Sequence, residues 1–211
     1  MNKKSDIIKS IKDNKIIAII RGVDNSNQAL EVVQSLYEGG IKLVEVAFNT
    51  NNAEKIIESI DKKFGDSMHI GAGTVLDSET AKTAIQAGSD FILSPIVNKE
   101  MIHCCNRYGK VSIPGAATPT EVINAMNEGA DLIKFFPAEA SGVKYMKSLQ
   151  GPLDHVEFIA VGGVNLNNIN EFLNSGAVAV GIGSSLINNE DVKNNNYATI
   201  TEKAKNFIEI I

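Results

Sequence analysis

The stretch DLIKFFPAEA (131–140) places one ammonium group, Lys134, between Leu132 and Ile133 on one side and Phe135 and Phe136 on the other. Taking such a charge out of water is costly unless it is paired or neutralised. A lysine held in apolar surroundings, or beside another cation, has its pKa lowered, and its neutral amine can then attack a carbonyl carbon to form a Schiff base. The same residue could instead make a structural ion pair, or reach water along its own stem. Glu45, in LVEVAF (43–48), is a carboxylate among valines and a leucine. Burial would raise its pKa toward the range of a general acid or base; the alternative is again an ion pair with Lys134. Arg21, near the end of KIIAIIRG (15–22), is the third charge flanked by apolar residues.

Glycine runs carry a second signal. AVGGV brings Gly162 and Gly163 together and GIGSSL brings Gly183 next to Ser184. Glycine lets backbone amides approach an anion closely, although either run alone could merely turn the chain. In GAGTV (71–75) the glycines could thin a packed interior, while Thr74 could hydrogen-bond a substrate carboxylate or carbonyl.

Groups so far apart in sequence need a scaffold that gathers them. Eight short apolar runs qualify as strands: residues 15–22, 43–48, 69–75, 91–95, 111–116, 132–137, 158–163 and 177–183. Between them lie amphipathic segments such as SNQALEVVQSLYEGG and TPTEVINAMNEGA, with apolar residues three and four apart and a polar capping residue near the start. Strand and helix alternate, so the strands should be parallel. Eight such units predict a single-domain (β/α)8 TIM barrel spanning 1–211 rather than an open doubly wound sheet, because no strand-to-helix turn carries the dinucleotide glycine fingerprint. The active face of such a barrel is the C-terminal end of its strands, where Arg21, Glu45, Thr74, Pro95, Pro114, Lys134, Gly162, Gly163, Gly183 and Ser184 all fall. Loops after the seventh and eighth strands form the recurrent phosphate site of these barrels, so the two glycine runs predict a phosphorylated small-molecule ligand.

Composition narrows the partners. The 211 residues carry 20 basic and 25 acidic side chains, a net charge of −5, and no basic stripe suited to nucleic acid. No apolar run approaches the roughly 20 residues of a membrane span, and MNKKSDIIKSIKDNK is too polar for a secretion signal, so a cytoplasmic protein is expected. Cys104 and Cys105 are adjacent and should be reduced thiols in a helix. His69, His103 and His155 are scattered, so no metal is expected. The polar run at 188–196 should be a loop before a last helix.

Several of these motifs occur together in one known family. KFFPAEA around Lys134, GAGTV around Thr74, VEV around Glu45, SP at Ser94 and Pro95, PG at Pro114 and Gly115, and the GG and GS runs resemble, in order, the 2-keto-3-deoxy-6-phosphogluconate (KDPG) and 4-hydroxy-2-oxoglutarate (KHG) aldolases. The resemblance implies a cofactor-free class I aldolase on a (β/α)8 barrel, usually a homotrimer, that releases pyruvate from a phosphorylated keto sugar acid. It assigns Lys134 as the Schiff-base lysine and Glu45 as the general acid/base. Thr74, Pro95 and Phe136 would line the pyruvyl pocket, and Gly162, Gly163 and Ser184 would hold the phosphate. One position departs: gluconate-type members often carry Arg where this chain has Asn49. Arg21, Asn49 and AVGGV also resemble the 2-dehydro-3-deoxy-6-phosphogalactonate aldolases, which act on the other configuration at C4; Arg21 would then make the missing anion contact. Two competing readings keep the barrel without imine chemistry: a phosphosugar isomerase or epimerase, and a non-catalytic phosphometabolite sensor in which Lys134 and Glu45 are only an ion pair.

Overall fold

The computed structural model describes residues 4–211; the first three residues of the polar N-terminal stretch lie outside it. Within these residues nine strand segments follow one another: β1 (Ile16–Ile20), β2 (Leu43–Ala47), β3 (His69–Gly73), β4 (Phe91–Leu93), β5 (Val111–Ile113), β6 (Gly115–Ala116), β7 (Ile133–Phe135), β8 (Phe158–Val161) and β9 (Ala177–Ile182). They form one parallel sheet in the order β5-β4-β3-β2-β1-β9-β8-β7-β6. The expected (β/α)8 barrel is the architecture found.

The single strand expected over 111–116 is divided. Pro114 has no N–H to give to a neighbour, and the strand is interrupted there. The first half, β5, pairs with β4, and the second half, β6, pairs with β7, so the interrupted strand joins the two ends of the sheet. Glycine is required at 115, where a Cβ would stand 2.5 Å from the carbonyl carbon of Pro95.

Among the described residues ten helices accompany the strands: α1 (Lys4–Asn14), α2 (Ser26–Glu38), α3 (Ala53–Phe64), α4 (Ser78–Gln86), α5 (Lys99–Arg107), α6 (Pro119–Asn127), α7 (Ala138–Gln150), α8 (Ile169–Asn174), α9 (Asn189–Lys193) and α10 (Tyr197–Glu209). Several start where the sequence provides a cap. Asn25 accepts from the Gln28 N–H, and Thr118 with Glu121 forms a reciprocal capping box ahead of Pro119. The run expected to be a loop at 188–196 contains α9, a short helix. Asn188 accepts from the Glu190 N–H, Glu190 and Asp191 sit in the first turn where the helix dipole favours acids, and Val192 is buried. Cys104 and Cys105 are free thiols on α5, and burial pushes Cys105 up to about 12. Among the described residues no helix is long and apolar enough to cross a membrane.

Alternation along the strands sorts side chains into two cores. Ile16, Ala18, Ile20, Val44, Val46, Ile133 and Phe135 pack between strands and helices. Ile17, Leu43, Phe91, Leu93, Ile113, Leu132 and Ile159 fill the barrel itself. Helix α1 is not among the elements expected from the sequence. It closes the end of the barrel opposite the strand C-termini, burying Ile7 and Ile11 with that interior cluster, while Lys4 pairs with Asp131 at 2.9 Å and Lys12 with Glu157. Asp90, between His69 at 3.3 Å and Lys110 at 3.2 Å, joins the starts of β3, β4 and β5.

Candidate active site

The barrel alternation decides where Lys134 points. Its neighbours Ile133 and Phe135 face the helices, so Lys134 belongs to the inward row with Leu132 and Phe136. Its register partners are Gly115 on β6 and Ile159 on β8. Glu45 occupies the inward row of β2, beside Ile19 and Gly71. β2 and β7 are separated by three strands on one side of the ring, so the two groups project from opposite walls toward one interior.

Space for the carboxylate comes from a glycine. A Cβ on Gly73 would fall 1.5 Å from Glu45 Oε1, so only glycine lets the acid lie across β3. Gly71, one step deeper, makes the corresponding room for the Phe91 ring, 2.1 Å from its virtual Cβ. The glycines of GAGTV therefore thin the interior, and one of them does so to seat Glu45.

Both charged groups are removed from water, Glu45 with 1% of its surface exposed and Lys134 with 5%. Burial pushes the Glu45 carboxyl above the ordinary glutamate value of 4.5, against the opposing charges of Lys134 and then Arg21. Burial likewise pushes Lys134 below the ordinary lysine range; Glu45 opposes this and Arg21 adds to it. The two do not make a tight pair. Among the described residues no ion pair joins them within 4.0 Å, and Glu45 Oε2 is buried with no hydrogen-bond partner. Lys134 Nζ lies 4.9 Å from the centre of the Phe136 ring. A buried acid with an unpaired oxygen is expensive as architecture, and it is the state in which a carboxylate can exchange protons with something placed between it and the amine.

These groups line a cavity of about 690 Å³ at the C-terminal mouth. The nine residues expected to react or to bind substrate all contribute to its wall, Arg21, Glu45, Thr74, Pro95, Lys134, Phe136, Gly162, Gly163 and Ser184, as does Gly183, whereas Pro114 does not. Asn49 does not. Thr74 has φ of +57°, a left-handed backbone that costs a β-branched residue about 1–3 kcal/mol and is characteristically retained at functional sites. Gly162 and Gly163 are both left-handed, at +100° and +75°. Side-chain amides of Asn165 and Asn168 each donate to the Gly163 carbonyl at 3.0 Å, and the Ser185 hydroxyl donates to the Val164 carbonyl at 2.6 Å, tying the loop after β8 to the loop after β9. Four polar wall residues were not read from the sequence: Glu139, Asn165, Ser185 and Asn189. Two adjoin quoted motifs, Asn165 following AVGGV and Ser185 lying within GIGSSL, and Glu139 lies inside KFFPAEA itself. No spacing signal pointed to Asn189.

Barrel, mouth cavity and buried charges together define a (β/α)8-barrel enzyme. Comparison with known proteins narrows the class. The family model for KDPG and KHG aldolase matches residues 7–203, and the chain belongs to that family of carbon-carbon lyases. It is 36% identical over 172 residues to the 2-dehydro-3-deoxy-6-phosphogalactonate aldolase of Escherichia coli, covering 81% of this chain and 83% of that one. It is 31% identical over 206 residues to the 2-dehydro-3-deoxy-phosphogluconate aldolase of Treponema pallidum, covering 97% of both. Its fold matches the KDPG aldolase of Legionella pneumophila, solved with pyruvate captured as a covalent carbinolamine, with a TM-score of 0.85 and 32% identity over 91% of this chain and 93% of that one.

Proposed function

We propose that this chain is a class I aldolase that cleaves 2-dehydro-3-deoxy-6-phosphogluconate to pyruvate and glyceraldehyde 3-phosphate through a Schiff base on Lys134, and that it also cleaves 4-hydroxy-2-oxoglutarate to pyruvate and glyoxylate. The observation that carries the reading is the buried amine of Lys134 facing a buried, unpaired carboxylate across one cavity. Lys134 attacks the C2 ketone, giving a carbinolamine that loses water to form an iminium ion. The iminium accepts the electron pair of the C3–C4 bond while Glu45, directly or through a water, takes the proton of the C4 hydroxyl, and the aldehyde departs. Glu45 then returns a proton to C3 of the enamine, and water releases pyruvate and the free lysine. Lowered lysine basicity supports the first step, and a raised carboxyl pKa supports a group that both accepts and gives the proton.

In this assignment Thr74, Pro95 and Phe136 surround the pyruvyl end, Gly162, Gly163 and Ser184 take the phosphate, and Arg21 contacts an anionic group of the substrate. A second reading, the C4-epimeric galactonate substrate, is favoured by the similarity to the E. coli galactonate enzyme and by Arg21 in the cavity with Asn49 outside it. Incubation with pyruvate and borohydride, followed by peptide mass spectrometry, tests the chemistry. A reduced adduct on Lys134 is expected; folded protein without one would return the isomerase and sensor readings to the front. Assay of both C4 epimers then decides the aldehyde half. We further propose a cytoplasmic homotrimer, for which exposed Leu76 and Ile96 on the mouth loops offer apolar contact area. Sedimentation equilibrium giving one chain mass would remove the trimer.

A further inference from the structure

The distal end of the cavity contains a charge of the wrong sign for an anion site. Glu139 lies five residues after Lys134, in the first turn of α7. Its backbone N–H donates to the Gly162 carbonyl at 2.9 Å, which sets the start of the helix against the glycine turn. The side chain then folds over that turn: a Cβ on Gly163 would fall 2.1 Å from Glu139 Oε2 and 2.6 Å from its Cδ. The neighbouring wall groups, Ser184, Ser185, Asn165 and Asn189, are uncharged, and among the described residues the cations lining the cavity are Arg21 and Lys134. Attraction to the helix dipole explains an acid in a first turn. It does not explain why this one lies on Gly163 and faces the cavity.

We propose that Glu139 is a specificity-determining residue of the distal subsite, a negative charge that weakens the hold of the glycine turn on a phosphate dianion. The inference rests on the assignment of that turn to the phosphate under the proposed function. Backbone amides and hydroxyls would bind the dianion, and the carboxylate subtracts from that binding. Phosphorylated substrate and phosphorylated aldehyde product are therefore held less tightly than the cradle alone would hold them, and a substrate lacking the phosphate is disfavoured less. At an exposed, water-screened position, one charge a few ångströms from the anion corresponds to about fivefold in affinity.

Glu139→Gln keeps the size of the side chain and removes its charge. Inorganic phosphate is titrated calorimetrically into the full-length wild-type and E139Q proteins at neutral pH, with about fivefold tighter binding expected in the variant. In turnover, kcat/KM for the phosphorylated keto acid should rise relative to that for its dephosphorylated counterpart, through KM rather than kcat. A merely structural role would move both substrates together. Equal or weaker phosphate binding by E139Q, no phosphate binding by either protein, or an unchanged ratio between the two substrates would overturn the proposal. The phosphate titration needs no catalysis, so it judges Glu139 separately from the aldolase reading, which the borohydride adduct on Lys134 judges.

Discussion

Substituting Gly73 by alanine should remove most of the activity without touching a group that reacts. Gly73 lies in β3 with ordinary strand backbone, so the main chain can accept alanine. The obstacle is the Glu45 carboxylate, whose Oε1 would stand 1.5 Å from the new methyl carbon. To regain ordinary contact distance the carboxylate must withdraw by about 2 Å. A displacement of about 1 Å in a catalytic group can cost roughly 100-fold in rate, so G73A should lower kcat at least about 100-fold. Overpacking should also cost about 1–3 kcal/mol of stability. The assay is release of pyruvate from the phosphorylated keto acid, alongside thermal unfolding of G73A, E45A and the double variant. If the methyl acts through Glu45, the double variant should be no less active than E45A and more stable than the sum of the two single effects, because truncating the acid vacates the space. Wild-type kcat in G73A, or activity losses that multiply in the double variant, would refute the view that Gly73 exists to seat Glu45.

Two other outcomes follow from the buried charges and the plugged barrel end. Glu45 has a raised folded-state pKa, so the native protein holds the Glu45 proton more tightly than the unfolded chain does, and its ionisation destabilises the fold as pH climbs above the ordinary value of 4.5. Glu45→Gln should therefore raise Tm at pH 8 by about 2–4 °C for each 1 kcal/mol of relieved desolvation, and by less near pH 4, while abolishing turnover; a Tm gain independent of pH would contradict this. Ile11→Ala, at a fully buried position beneath the barrel, should cost about 2–5 kcal/mol in denaturant unfolding with kcat unchanged in the folded protein, and a loss below about 1 kcal/mol would show that α1 is not part of the core.

The parts of the site legible in the sequence are those set by local alternation. Within LIKFFP the residues on either side of Lys134 are large and apolar, and a period-two pattern in a strand buried on both faces sends Lys134 to the interior once Ile133 and Phe135 take the helix side. Glu45 among its valines follows the same rule, and the paired glycine runs mark the ends of neighbouring strands. The N-terminal helix was less legible. Ile7 and Ile11 are interspersed with lysines and aspartate, and their burial depends on the open barrel end they happen to meet. The strand break at Pro114 was visible as a proline, but its use as the point where the two ends of the sheet are joined depends on which strands flank it.

The sequence by itself determined the repeat, the barrel and the identity of the two central charged residues, because strand periodicity and motif order are properties of neighbouring residues. Only the tertiary structure decided that Lys134 and Glu45 face each other without pairing, that Gly73 is the floor on which the acid rests, and that Glu139 lies on the glycine turn. Each of those facts is a distance between residues on different strands and loops. Such distances arise from closure of the barrel, which no local pattern encodes.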